Sequence, residues 1–185
     1  RAEAVLPRAT WLDRLAAALP VVSVFLWLAA LYSWQAWRHP PPWLFTDELE
    51  LTQLSRAIAD TGSAARRGEP HFFQTLYAYV LAPAWWLGPV ESAYGAVKLI
   101  GVVVMTAVAF PVYVLARALV SRPAALFAAA ASASTPALAY GPMILEEPLA
   151  YPYAALSFLL FFRALVRPSR ASIALALLAC AVAPL

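Results

Sequence analysis

Residues 15 to 37, LAAALPVVSVFLWLAALYSWQAW, run without one charged side chain. About 20 apolar residues in a row is the length at which a single helix crosses the ~30 Å hydrocarbon core of a bilayer. The apolar core of a secretory leader is shorter, about 7–15 residues, and ends at a small-residue cleavage site. Neither property fits, so this run is expected to be a retained span. Composition points the same way. The chain is 63% hydrophobic and 12% charged, whereas a soluble domain carries roughly 25% charged residues. That is too little charge to cover a water-facing surface.

Further apolar stretches lie at 72–90, 99–116, 123–145, 148–162 and 171–185. The 99–116 run extends back to Tyr94 if Lys98 snorkels to the interface, and 148–162 extends past Arg163 in the same way. The run at 72–90, FFQTLYAYVLAPAWWLGPV, is ambiguous, and the distribution of basic residues decides it. If it does not span, Arg1, Arg8, Arg14, Arg117, Arg122, Arg163, Arg167 and Arg170 fall on the cytoplasmic side. Arg38, Arg56, Arg66, Arg67 and Lys98 then lie outside. If it spans, every later loop flips and the basic excess moves outside, against the positive-inside rule. Pro83, Pro89 and the Trp85–Trp86 pair also suit an interfacial segment, with Trp34, Trp37 and Trp43 in an aromatic belt on the same face.

The expected fold is therefore all-α and integral to the membrane. It is a multi-pass helical bundle in one transmembrane domain, 1–185, with its N-terminus cytoplasmic. Spans are expected at about 15–37, 94–117, 123–141, 148–166 and 171–185, the last continuing beyond this chain. An outer loop at about 38–93 carries interfacial helices at about 46–60 and 72–88. The net charge of +3 does not signal nucleic acid, because the arginines sit at the ends of apolar runs rather than in a patch. Cys180 is the one cysteine, so no disulfide framework exists, and no zinc or haem motif is present.

The acidic residues gather on the expected outer side: Asp47, Glu48, Glu50, Asp60, Glu69, Glu91, Glu146 and Glu147. After His39 and three prolines, Thr46 or Asp47 can cap a helix that runs to about Asp60 and stops at Gly62. Leu44, Asp47, Leu51, Leu54 and Ile58 fall on one stripe, which is expected to lie on the membrane. In ILEEPLAYP, Pro148 suits a first helical turn, and Glu146 and Glu147 precede it. Each acidic pair has a plain structural explanation, since carboxylates are favoured at helix N-termini. Both pairs nevertheless lie on one side and can converge there.

The ordered motifs TDELELTQLSRAIADTG, EPHFFQTLYAYVLAPAWWLG, VYVLARALVSRPAALFAA and EEPLAYPYAALSFLLFFRAL resemble the C-type integral-membrane glycosyltransferases. These include protein O-mannosyltransferases, aminoarabinose transferases and arabinosyltransferases. The likeness covers nearly the whole chain, except that the Pro-Pro usual in the surface segment is replaced near Phe72–Gln74. It implies an inverting sugar transfer from a polyprenyl-phosphate donor to a glycan, lipid or protein acceptor on the extracytoplasmic side. It also implies further spans outside this chain. Asp47 matches the first acidic position of the family motif and would be the catalytic base, with Glu48 as alternative or orienting partner. Glu146, Glu147, His71, Arg66, Arg67 and Lys98 are the candidate substrate contacts, the three cations for the leaving phosphate. For these three, solvated loop residues and a snorkelling anchor are the plain alternatives. A divalent cation held in part by Asp47 is left open, since outer carboxylates suit Mg²⁺, Mn²⁺ or Ca²⁺. The Ala- and Arg-rich composition fits a bacterial cell-envelope setting.

Two other classes compete. A transporter or lipid flippase places ionisable groups mid-membrane, often with inverted repeats; here the acids lie at one surface and no repeat is visible. A non-catalytic membrane scaffold would use the long outer loop only to dock a partner.

Overall fold

The computed structural model describes residues 11–39, 42, 46–71, 76–140 and 143–182, with the side chains of 12, 14 and 135–140 left aside. Arg1, Arg8, Leu44, Phe72–Gln74 and the end of the last expected span lie outside the described residues. The chain is all-α apart from one small hairpin. Its elements run α1 (Trp11–Arg38), α2 (Thr46–Thr61), β1 (Ala65–Arg66), β2 (Glu69–Pro70), α3 (Leu76–Leu81) and a 3₁₀ turn (Ala82–Leu87). Then follow α4 (Val90–Thr106), α5 (Ala109–Arg117), α6 (Arg122–Tyr140), α7 (Glu147–Val166) and α8 (Arg170–Val182).

Three helical stretches are long and apolar enough to cross a membrane: Leu15–Arg38, Val90–Arg117 and Glu147–Val166. The expected span at 123–141 is a helix, α6, but its Ala, Ser, Thr and Pro residues leave it less apolar than these three. The last is the 13-residue α8. Only 17% of the apolar window in α1 and 6% of that in α7 is buried. Apolar faces this bare are incompatible with water on all sides.

Prolines explain where the helices start, break and are braced. Pro111 has no N–H to give the carbonyl of Ala107, and its ring crowds that carbonyl. The 90–117 stretch accordingly breaks at residues 107–108, where Phe110 N bonds Ala107 O instead, at 3.1 Å. Pro148 stands in the first turn of α7, the one place where its missing donor costs nothing. Pro20, inside α1, deprives the carbonyl of Ala16 of its helical donor. Arg122 fills that vacancy, its guanidinium donating to Ala16 O at 3.3 Å and Ala17 O at 3.4 Å.

The contacts also fix the direction of each helix. Arg122 meets Ala16 and Tyr32 Oη donates to Ser134 O at 3.1 Å, so α1 and α6 run parallel. Tyr32 and Ala36 pack on Met105 and Val102, and Lys98 Nζ donates to His39 O at 2.8 Å. α4 therefore runs opposite to α1. His39, after the end of α1, and Lys98, in α4, thus meet at the same end of the bundle. Where α5 meets α6, the faces are Val108, Ala109, Ala129 and Ala133; small side chains let two backbones approach closely.

The largest core cluster among the described residues lies in a cap over one end, where α2 and α3 pack on the start of α4. Leu51, Leu54, Ile58, Tyr77, Ala78, Leu81, Val97 and Ile144 form it. The apolar stripe of α2 is thereby covered by protein, from α3, the 3₁₀ turn and α4, and not left to lie on a membrane. Trp85 Nε1 donates to Ser55 Oγ at 2.8 Å and Trp86 Nε1 to Ala59 O at 3.3 Å, so the tandem tryptophans clasp α2.

One close approach seals cap to bundle. A Cβ on Gly101 would stand 2.8 Å from Tyr77 Oη and 4.0 Å from Pro148 Cγ, and Tyr77 is buried between α3 and α4. Burial also holds the Tyr77 hydroxyl above the usual phenol range, so it stays protonated. Gly101→Ala is expected to cost about 1–3 kcal/mol by overpacking. Tyr77→Phe should recover part of that loss in the double variant, read as thermal midpoint in detergent. A Gly101→Ala midpoint equal to wild type would show that the ring can shift freely.

Candidate active site at the acidic end

α2 begins with Asp47 and Glu48 in its first turn, where the helix dipole favours negative charge. The two carboxylates have opposite fates. Glu48 is 1% exposed, whereas Asp47 is open to solvent. The sequence stripe aimed Asp47 at the membrane. Asp47 stands exposed one turn ahead of Leu51, where the buried stripe of Leu51, Leu54 and Ile58 begins. Glu48, one residue on, turns toward α4.

There it meets Tyr94 and Lys98, one helical turn apart on one face. The Tyr94 hydroxyl donates to Glu48 Oε1. Lys98, 3% exposed, feels the charge of Glu48, lies 5.1 Å from the centre of the Tyr94 ring and donates to His39 O. A buried carboxylate is tolerated only with partners of this kind. Lys98 is therefore engaged in holding α2 to α4 and to the end of α1.

Glu50 collects the other predicted contacts. Arg66 Nη1 donates to Glu50 Oε1 at 3.2 Å, and His71 Nε2 lies 3.9 Å from the same oxygen. The hairpin makes this possible. Arg67 and Gly68 both have positive φ, 53° and 86°, as a tight two-residue turn of mirror-image type requires. Ala65 then pairs with Pro70 and Arg66 with Glu69. Arg66 and His71 are thus brought to Glu50, while Arg67 stands exposed at the hairpin tip.

The second acidic pair joins the first. Partial desolvation raises the pKa of Glu146, and the charges of Asp47, Glu147 and Glu50 raise it further. Two carboxylate groups about a hundred residues apart in sequence therefore act on one another at the mouth of the bundle. A raised carboxyl binds more protons folded than unfolded, so it contributes stability at low pH. That contribution fades as pH rises from the ordinary glutamate range through the folded value. Glu146→Gln is accordingly expected to flatten the fall of the thermal midpoint between acidic and neutral pH. An unchanged slope would mean that another group sets it.

Tyr94 and Glu50 were not among the sequence candidates. Tyr94 had a legible signal, its spacing of four from Lys98; Glu50 had none, because its partners come from a hairpin that the sequence reading left as loop. Among the described residues, no three His, Cys, Asp or Glu side chains group closely enough to hold a metal ion. Comparison of the chain with protein-family models, with curated proteins and with solved structures finds no match.

Proposed function

We propose that this chain forms the membrane-embedded, substrate-facing part of a glycosyltransferase that takes its sugar from a polyprenyl-phosphate donor. In this reading the long helices lie in the bilayer, the N-terminus is cytoplasmic and the acidic end faces away from the cytoplasm. Arg117, Arg122, Arg163, Arg167 and Arg170 mark the opposite, cytoplasmic end, as positive-inside bias requires. The observation that carries the proposal is that Ile144, just ahead of Glu146, packs in one core with Leu51 and Leu54 of α2, which brings the charges of Asp47 and Glu50 to bear on Glu146.

The reaction needs a base for the acceptor hydroxyl. That oxygen attacks the anomeric carbon while the bond to the phosphate oxygen breaks. The hydroxyl proton passes to a carboxylate, and the polyprenyl phosphate departs with the bonding pair. Asp47 is exposed at the mouth and is the base in this scheme. Glu146 and Glu147 lie beside it at the start of α7 and orient the acceptor. Glu48 acts through position, fixing the first turn of α2 against Tyr94. Of the cations, Arg67 alone stands unburdened at the surface; Lys98 and Arg66 already serve Glu48 and Glu50.

A transporter or flippase is disfavoured because the described carboxylates crowd one end of the bundle rather than its middle. The test is the full-length protein in membrane vesicles with a radiolabelled polyprenyl-phosphate sugar and crude envelope acceptor. Time-dependent transfer into acceptor is expected. Translocation of the labelled lipid without transfer would replace this reading with the flippase.

A further inference from the structure

A groove of about 980 Å³ runs between the last turns of α1 and the first turns of α4. Small-molecule sites occupy about 300–1,000 Å³, so this one is large. Trp34 and Trp37 line it from α1, Leu87, Gly95 and Leu99 from the other side, and Glu91 and Lys98 are its charged lining residues. A Cβ at Gly95 would meet nothing within 4 Å, so this space is open down to the backbone. On the α1 wall, the Arg38 guanidinium lies 5.6 Å from the centre of the Trp34 ring. An arginine at a helix end, stacked on an interfacial tryptophan, is placed to meet a phosphate with its planar fork of donors.

Both walls belong to stretches long and apolar enough to cross a bilayer. The medium outside the groove is then hydrocarbon, and Trp34 and Trp37 set its mouth at headgroup depth. We infer that the groove holds one outer-leaflet phospholipid, with an acyl chain lying over Gly95 and its phosphate on Arg38. The site rests on the spanning of α1 and α4, and is independent of glycosyl transfer. Lys98 is among its lining residues, so the lipid backs the helix that anchors the acidic end.

The test uses the full chain, purified from membranes in detergent doped with dioleoyl phosphatidylglycerol, and native mass spectrometry to count retained lipids. Wild type is expected to keep one phospholipid after the detergent is stripped. Gly95→Leu puts a side chain where a Cβ meets nothing within 4 Å, and should lose that lipid while keeping its helical circular dichroism. Arg38→Gln leaves the groove intact and should weaken retention about tenfold, the loss expected for one charge-assisted contact. Equal retention by wild type and Gly95→Leu would overturn the site. So would displacement of the lipid by equimolar polyprenyl phosphate, which would make the groove a donor site. Carbonate-resistant membrane association of each variant separates failure of this site from failure of the spanning topology.

Discussion

Glu48→Gln is expected to lower the thermal midpoint by about 6–12 °C, the largest stability loss of any conservative change in the cap. Glutamine keeps the volume and can still accept from Tyr94, so the change isolates the charge. What it leaves behind is Lys98, 3% exposed and stripped of its counter-charge. Breaking a buried ion pair by removing one partner costs about 3–5 kcal/mol. Lys98 keeps its bond to His39 O, so about 3 kcal/mol is the better figure. For a chain of this size, each kcal/mol moves the midpoint by roughly 2–4 °C. Lys98→Met alone should cost a comparable amount, because Glu48 is then the buried charge without its cation. The double variant decides the matter. Removing both charges together should restore the midpoint to within about 1 kcal/mol of wild type, since apolar replacement of a whole buried pair is often neutral. Simply additive losses would mean that Glu48 and Lys98 do not depend on one another.

The parts of this molecule that are set by length and hydropathy were legible in the sequence. The charge-free run before Arg38, the stop at Gly62 and the Pro148 start of α7 all fall within a turn of the observed boundaries. The divided helix near residue 107 was not foreseen, although Pro111 carries the cause. The fate of the two carboxylates at 47 and 48 was not legible at all. By helical angle Asp47 lies on the apolar stripe, yet it stands open ahead of Leu51, while Tyr94 and Lys98 of α4 close over Glu48. Periodicity describes which side of a helix is apolar; it does not describe where along the axis the cover ends. The same limit applies to Arg66 and His71. Their residue type suggested an anion, and the anion they found was Glu50 of the protein itself, reached through a six-residue hairpin with too little sequence to announce it.

Asp47→Asn should abolish sugar transfer, lowering kcat by about 10²- to 10⁴-fold, the contribution of a positioned general base. Asn preserves the shape and the first-turn position, and Asp47 is exposed and outside the cap core, so expression and thermal midpoint should match wild type. The contrast with Glu48→Gln is the informative one. The exposed carboxylate should control turnover with little effect on stability, and the buried one stability with much less effect on the turnover of folded protein. Glu146→Gln should show a third pattern. It leaves Asp47 in place and removes the carboxyl on which the charge of Asp47 acts. The neutral-pH rate should therefore fall less than in Asp47→Asn. Full transfer by a normally expressed Asp47→Asn would dismiss Asp47 as base. Loss of transfer in Glu146→Gln, with transfer kept in Asp47→Asn, would move the base to Glu146. Either result would still turn on the same structural fact, that the start of α7 and the start of α2 present their carboxylates to one another at the mouth of the bundle.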